Sequence, residues 1–127
     1  MSSPPYITWE TPDSLADEAI RLLDEIMRSN GKVKRGVNET TKSVERGSAK
    51  LVYIARDVNP PEIVMHLPHL CEEKGIPYLF VPSKKELGKA AGIERPASSV
   101  AVVDAGEAMS RLERIIQMIK EFRLTKK

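Results

Sequence analysis

Leu51-Val52-Tyr53-Ile54-Ala55 decides the fold class. Its five apolar residues follow one another without alternation, whereas a strand with one wet face alternates. The segment therefore predicts a central strand covered on both faces, which requires helices above and below it. Working outward, Lys32 to Arg35, Tyr78 to Val81 and residues 100–103 supply three further short strand candidates. Helical patterns fill the intervals between them.

The first helix is expected to begin at Thr11, with Pro12 at its first helical position and acids in the opening turn. Leu15, Ala19, Leu22, Leu23, Ile26 and Met27 then form one buried stripe, and Asn30-Gly31 stops it. A second helix is expected over about 39–46, with Asn38 as its cap and Gly47 as its exit. Asn59-Pro60-Pro61 opens a third, placing Ile63, Val64, Leu67, Leu70 and Cys71 inward, with Pro68 as a kink. Ser83 and Glu86 pair as a capping box for a short fourth helix ended by Gly92. The fifth puts Ala108, Met109, Leu112, Ile115, Ile116, Ile119 and Phe122 on one side. Five helices alternating with four strands predict a single-domain three-layer α/β/α sandwich with a small four-stranded sheet over residues 1–127. The ends, about 1–8 and 124–127, are expected to be ragged. Periodicity leaves the strand order open.

The chain has 127 residues, 41% of them hydrophobic and 30% charged, which suits one domain with a real core. The five-residue run 51–55 is its longest unbroken apolar stretch, far short of the roughly 20 residues of a membrane span. The start lacks the basic and apolar regions of a secretory signal, and the single cysteine, Cys71, has no internal disulfide partner. A cytoplasmic setting is expected. Net charge is only +2, but from Glu10 to Glu25 six acids face one base, giving −5. From Arg28 to Lys50 seven bases face two acids, giving +5. Such a local basic field is what a phosphate backbone attracts, although charge runs are more often plain solvated faces.

No catalytic constellation emerges. There is no Walker-type glycine loop. Asp57 follows a buried strand as a receiver's phosphoacceptor does, but Lys34-Arg35-Gly36 stands where an acidic pair is needed for Mg²⁺. His66 and His69 lack the further ligands that a metal site requires. Cys71 falls on an apolar stripe, and Met27, Met65, Met109 and Met118 lie in helical patterns where packing explains them. No enzyme activity and no cofactor are expected. Asn38, Lys42 and Arg46, spaced by four, project from one face of the second helix with Glu39 beside them, while Val37 and Val44 can face the sheet. Spacing alone fits either a capped, solvated helix or a base-reading surface. A carboxylate within a basic patch suits a base edge that offers an N–H.

Gly36-Val37-Asn38-Glu39-Thr40-Thr41-Lys42-Ser43-Val44-Glu45-Arg46-Gly47 resembles the RNA-binding helix of the L7Ae family of ribosomal proteins. Cys71-Glu72-Glu73-Lys74-Gly75-Ile76-Pro77-Tyr78, continuing through Ser83-Lys84 to Leu87-Gly88, resembles that family's signature segment, and the archaeal member is the nearest likeness. The resemblance implies a mixed sheet and binding to kink-turn RNA, a duplex bent at a three-nucleotide bulge followed by sheared G·A pairs. It also implies that Asn38, Glu39, Lys42 and Arg46 address those pairs and nearby phosphates, with Lys34, Arg35 and Gly36 leading the backbone up to the RNA. Lys84 would meet a phosphate, and Ile63 with Ile93-Glu94-Arg95-Pro96 would flank the flipped-out nucleotide. Asn59 stands where relatives often carry an acid near the bulge. The partners so implied are large-subunit ribosomal RNA, box C/D guide RNA with a Nop-type scaffold and fibrillarin, and H/ACA and ribonuclease P RNAs. The free chain is expected to be monomeric. A protein-interaction module with weak RNA contact, docking through the acidic first helix, is the alternative.

Overall fold

A computed structural model describes residues 4–125. Helices α1 (Asp13–Arg28), α2 (Val37–Glu45), α3 (His66–Lys74), α4 (Lys84–Ala90) and α5 (Met109–Thr125) alternate with strands β1 (Lys32–Arg35), β2 (Leu51–Ala55), β3 (Tyr78–Val81) and β4 (Ser99–Asp104). Short 3-10 turns at Pro61–Ile63 and Gly106–Ala108 precede α3 and α5. The sheet order is β1-β4-β2-β3. Strand β4 runs antiparallel to both β1 and β2, while β2 and β3 are parallel, so the sheet is mixed. Helices α1, α4 and α5 pack together on one face and α2 with α3 on the other.

Strand β2 is buried at every residue, as its unbroken apolar run requires. Its Tyr53 hydroxyl donates to the Ala19 carbonyl of α1, and burial raises the Tyr53 pKa. Leu15, Ala19, Leu22, Leu23 and Ile26 form the buried stripe of α1. At β3 the Tyr78 hydroxyl donates to Glu72 of α3 at 2.7 Å, and Arg123 of α5 reaches the same carboxylate at 2.6 Å. The Tyr78 bond, ahead of Arg123, holds the Glu72 carboxyl below its ordinary range. The Arg123 guanidinium also lies 5.2 Å from the Tyr78 ring centre and 5.7 Å from that of Trp9, which ties α5 to β3 and to the start of the chain.

Several local expectations give way to tertiary contacts. Helix α1 starts at Asp13 with extended Pro12 as its cap, because the Thr11 hydroxyl accepts from the Phe80 N–H and keeps Thr11 beside β3. Residues 1–3, 126 and 127 of the expected ragged ends lie outside the described residues. Tyr6, however, is buried: its hydroxyl donates to the Ala55 carbonyl, and Tyr6 and Trp9 both meet the Phe80 ring. The expected third helix is two pieces, the 3-10 turn and α3. Pro68 falls in the first turn of α3, where its missing N–H had no helical partner to lose, so it kinks nothing. Ile63 is 40% exposed rather than inward, Met65 leaves the helical pattern for the turn before α3, and Met109 is 41% exposed at the start of α5.

Candidate nucleic-acid interface

Arg35 pairs with Val100 across the β1–β4 ladder, Ile54 with Ser99 across β2–β4, and Ala55 with Val81 across β2–β3. The carboxyl ends of β1, β2 and β3 therefore meet the start of β4 at one end of the sheet. The segments leaving and entering there are Gly36 with the first turn of α2, the loop from Arg56 to Ile63, Pro82-Ser83-Lys84, and the approach to β4 at Ile93–Pro96. Ten of the residues expected to form a site, Gly36, Asn38, Glu39, Asn59, Ile63, Lys84 and Ile93–Pro96, thus converge, although they come from four segments. In open α/β sheets, ligands commonly bind beyond these strand ends.

Gly36 makes the turn from β1 into α2. Its φ of 93° and ψ of 160° lie in a region essentially reserved for glycine. Its N–H donates to Ser99 O at 2.8 Å and its carbonyl accepts the first helical bond, from the Thr40 N–H, at 3.0 Å. Gly36 is therefore the N-cap position, and no side chain, that of Asn38 included, caps the helix. Asn38 sits one residue inside the first turn and, like Glu39, is exposed. Helix α2 is fixed from beneath. Buried Thr40 accepts from the Ser99 hydroxyl at 3.1 Å, and Ser43 Oγ donates to the Glu39 carbonyl at 3.0 Å. Lys42 Nζ lies 3.7 Å from the Glu39 carboxylate, and both side chains are about half exposed. Such a pair contributes little and leaves both groups available to a ligand. Arg46 is the C-cap, eight residues beyond Asn38, which at 1.5 Å per residue puts it about 12 Å along the helix. It belongs to the same surface but not to the convergent end.

Arg35 is half-buried, and its Nε donates to the Ala91 carbonyl at 2.6 Å, joining β1 to the segment after α4. That segment folds back over α4: the Ile93 N–H bonds Gly88 O at 3.0 Å and the Ala97 N–H bonds Lys84 O at 2.9 Å. Gly88 is required there, because a Cβ would collide with the Arg95 carbonyl oxygen and come within 3.0 Å of its carbon. The loop so held exposes Glu94, Arg95 and Pro96 and half-buries Ile93. Lys84 is fixed through its backbone, whose N–H donates to Asp57 Oδ1 at 2.9 Å. Asp57 is thus a clamp between the β2 loop and α4. Asn59, at a cis peptide to Pro60, and Ile63 are both exposed on that loop.

Sequence reasoning passed over Lys85 and Lys89, which with Ile93–Pro96 line a hollow of about 350 Å³. Their four-residue spacing was the available signal. The −5 segment folds as α1 and its approach on one face, while the +5 segment carries β1 and α2, so the two fields are separated by the sheet. Among the described residues no group of three or more His, Cys, Asp or Glu could hold a metal ion. No described helix is long and apolar enough to cross a membrane. Cys71 is buried and its thiol is pushed up to about 12 by desolvation, with Glu72 adding to the effect. Alkylation by iodoacetamide at pH 8 should therefore be slow in the folded protein and fast in denaturant; equal rates would contradict its placement.

The family model described as "Ribosomal protein L7Ae/L30e/S12e/Gadd45 family" matches residues 18–110. The chain belongs to this family. The match takes in every candidate residue from Lys34 to Pro96. The fold agrees with a solved relative, the Giardia lamblia 15.5kD RNA binding protein, at a TM-score of 0.85. The two are 34% identical, over 93% of this chain and 98% of that one. Membership in the L7Ae/L30e/S12e/Gadd45 family accounts for the mixed four-stranded sheet and for the order of its five helices.

Proposed function

We propose that this protein is a non-catalytic RNA-binding protein that recognises kink-turns and nucleates ribonucleoprotein assembly upon them. The observation that carries the reading is the exposed Glu39 carboxylate in the first turn of α2, between Asn38 and Lys42 in an otherwise basic field. A surface made only for phosphates has no use for that acid. A sheared guanine pairs through its sugar edge and leaves O6 and N1–H free. Asn38 or Lys42 donates to O6 while Glu39 accepts from N1–H. Regular A-form RNA hides its base edges in a deep, narrow groove, so this set of groups selects distorted RNA. Exposed Ile63 and the loop Ile93–Pro96 offer apolar and cationic surface to an unstacked base. Lys34, Arg35, Lys84 and Arg46 supply phosphate contacts.

The protein acts by population shift. Free kink-turn RNA samples extended and bent forms, and contacts available only in the bent form draw it over. The bent RNA with its protein is then the platform for further subunits in the large ribosomal subunit and in box C/D, H/ACA and ribonuclease P particles. In the box C/D particle those partners are a Nop-type scaffold and fibrillarin, and the setting is cytoplasmic.

A kink-turn duplex carrying a fluorophore pair on its two arms tests this directly. Added protein should raise energy transfer to a plateau in low-magnesium buffer, and an unchanged signal at saturation would remove the bending mechanism. Lys84→Ala should lower the slope of log K against log salt by about 0.7–0.9, the share of one phosphate, with kink-turn preference intact. An unaltered slope would take Lys84 out of the phosphate contacts.

A further inference from the structure

Two elements that carry separate parts of the candidate interface are joined by one side-chain chain. Thr41, in the second turn of α2, donates its hydroxyl to the carbonyl of Val37, the first residue of that helix, at 2.7 Å. The same oxygen lies 2.8 Å from Nε2 of His66, the first residue of α3. A hydroxyl has one proton, and Thr41 spends it on Val37, so the proton of the second bond must come from the imidazole. His66 therefore carries its hydrogen on Nε2 and is the donor.

Resting on the RNA-binding reading above, we propose that His66 is a positioning residue for the recognition turn. Through Thr41 it orients the Val37 carbonyl and hence the turn that presents Asn38 and Glu39. It does so from the residue three places after Ile63, so the base-pair-reading helix and the segment at the bulge are held in one register. Neither the histidine spacing on α3 nor any metal chemistry is involved: His69 takes no part in the chain of bonds.

The test compares His66→Gln, whose side-chain amide can present an N–H near the Nε2 position, with His66→Ala, Thr41→Val and the double variant Thr41→Val/His66→Ala. Binding is measured to an intact kink-turn and to its twin with the sheared guanines replaced, and amide hydrogen exchange over α2 is measured in the free proteins. His66→Ala and Thr41→Val should each weaken kink-turn binding by about three- to tenfold, the range of one net hydrogen bond, and leave the twin unchanged. The double variant should lose no more than the larger single, because both remove the same link. His66→Gln should stay near wild type in binding, and exchange at residues 40–42 should quicken several-fold in His66→Ala but not in His66→Gln. Unchanged exchange in His66→Ala, or a lower melting temperature with full kink-turn preference, would overturn the proposal. If the wild-type chain shows no preference between the two RNAs, the functional reading fails, and the exchange comparison alone then decides whether His66 positions α2.

Discussion

Glu39→Ala is expected to weaken binding to a kink-turn RNA by about 1–3 kcal/mol, roughly 5- to 150-fold, if base-edge discrimination measured on DNA carries over. On plain duplex RNA the same change should be neutral or slightly favourable, since it removes a negative charge from a basic surface. The opposite signs are the point. A residue that merely supports α2 would lower both affinities together, and a residue outside the interface would alter neither. Among the described residues the carboxylate's ion pair is with the exposed Lys42, at 3.7 Å, so the loss is not confounded by a broken core interaction. Competition titrations with both RNAs at one salt concentration measure it. Equal losses on the two would show that Glu39 does not read a base.

Gly88→Ala should be the most damaging single change near the site. An added Cβ meets the Arg95 carbonyl oxygen within van der Waals contact and the Ala97 nitrogen at 3.2 Å, and both are backbone atoms that cannot swing aside. Overpacking of this kind costs about 1–3 kcal/mol and sometimes more. In a chain of this length that is a melting-temperature drop on the order of 5–15 °C. The loop Ile93–Pro96 must lift from α4 to relieve the contact, which breaks the Ile93 to Gly88 bond and moves Arg95 and Pro96 away from the strand ends. Kink-turn affinity should therefore fall at temperatures well below the new melting point. A variant that melts and binds like wild type would contradict the packing described for this loop.

These two residues also mark what could and could not be read from the chain. The exposed place of Glu39 on the second helix is legible because that helix, its face and its charge depend on neighbours within eight residues. The same locality explains β2, whose burial on both faces follows from five apolar residues in a row. Gly88 falls inside the segment that resembles the family's, but its purpose lies in Arg95 and Ala97, seven and nine residues on, which no periodicity connects to it. Asn38 was misread as a cap because its side chain has the right chemistry. The N-cap position instead falls two residues earlier, on Gly36, whose positive φ makes the turn from β1 into α2 and whose carbonyl accepts the first helical bond. For Ile63 and Pro68 the difficulty is similar: one continuous apolar pattern spans a 3-10 turn and a helix, and the break between them at Val64-Met65 leaves no mark in the spacing. The strand order, the Arg35 to Ala91 bond and the Thr41–His66 link are all long-range. They bring the candidate residues together, and they become visible only in three dimensions.

On the proposed reading this surface recognises distorted RNA, and not phosphate alone. Gel shifts with one short kink-turn and its twin carrying replaced sheared guanines, at fixed salt and protein, test it most directly. The intact motif should be strongly retained under conditions where the twin runs free. Equal, salt-sensitive binding to both would reduce the surface to a basic patch, and binding to neither would mean that this chain shares the family's fold without its recognition.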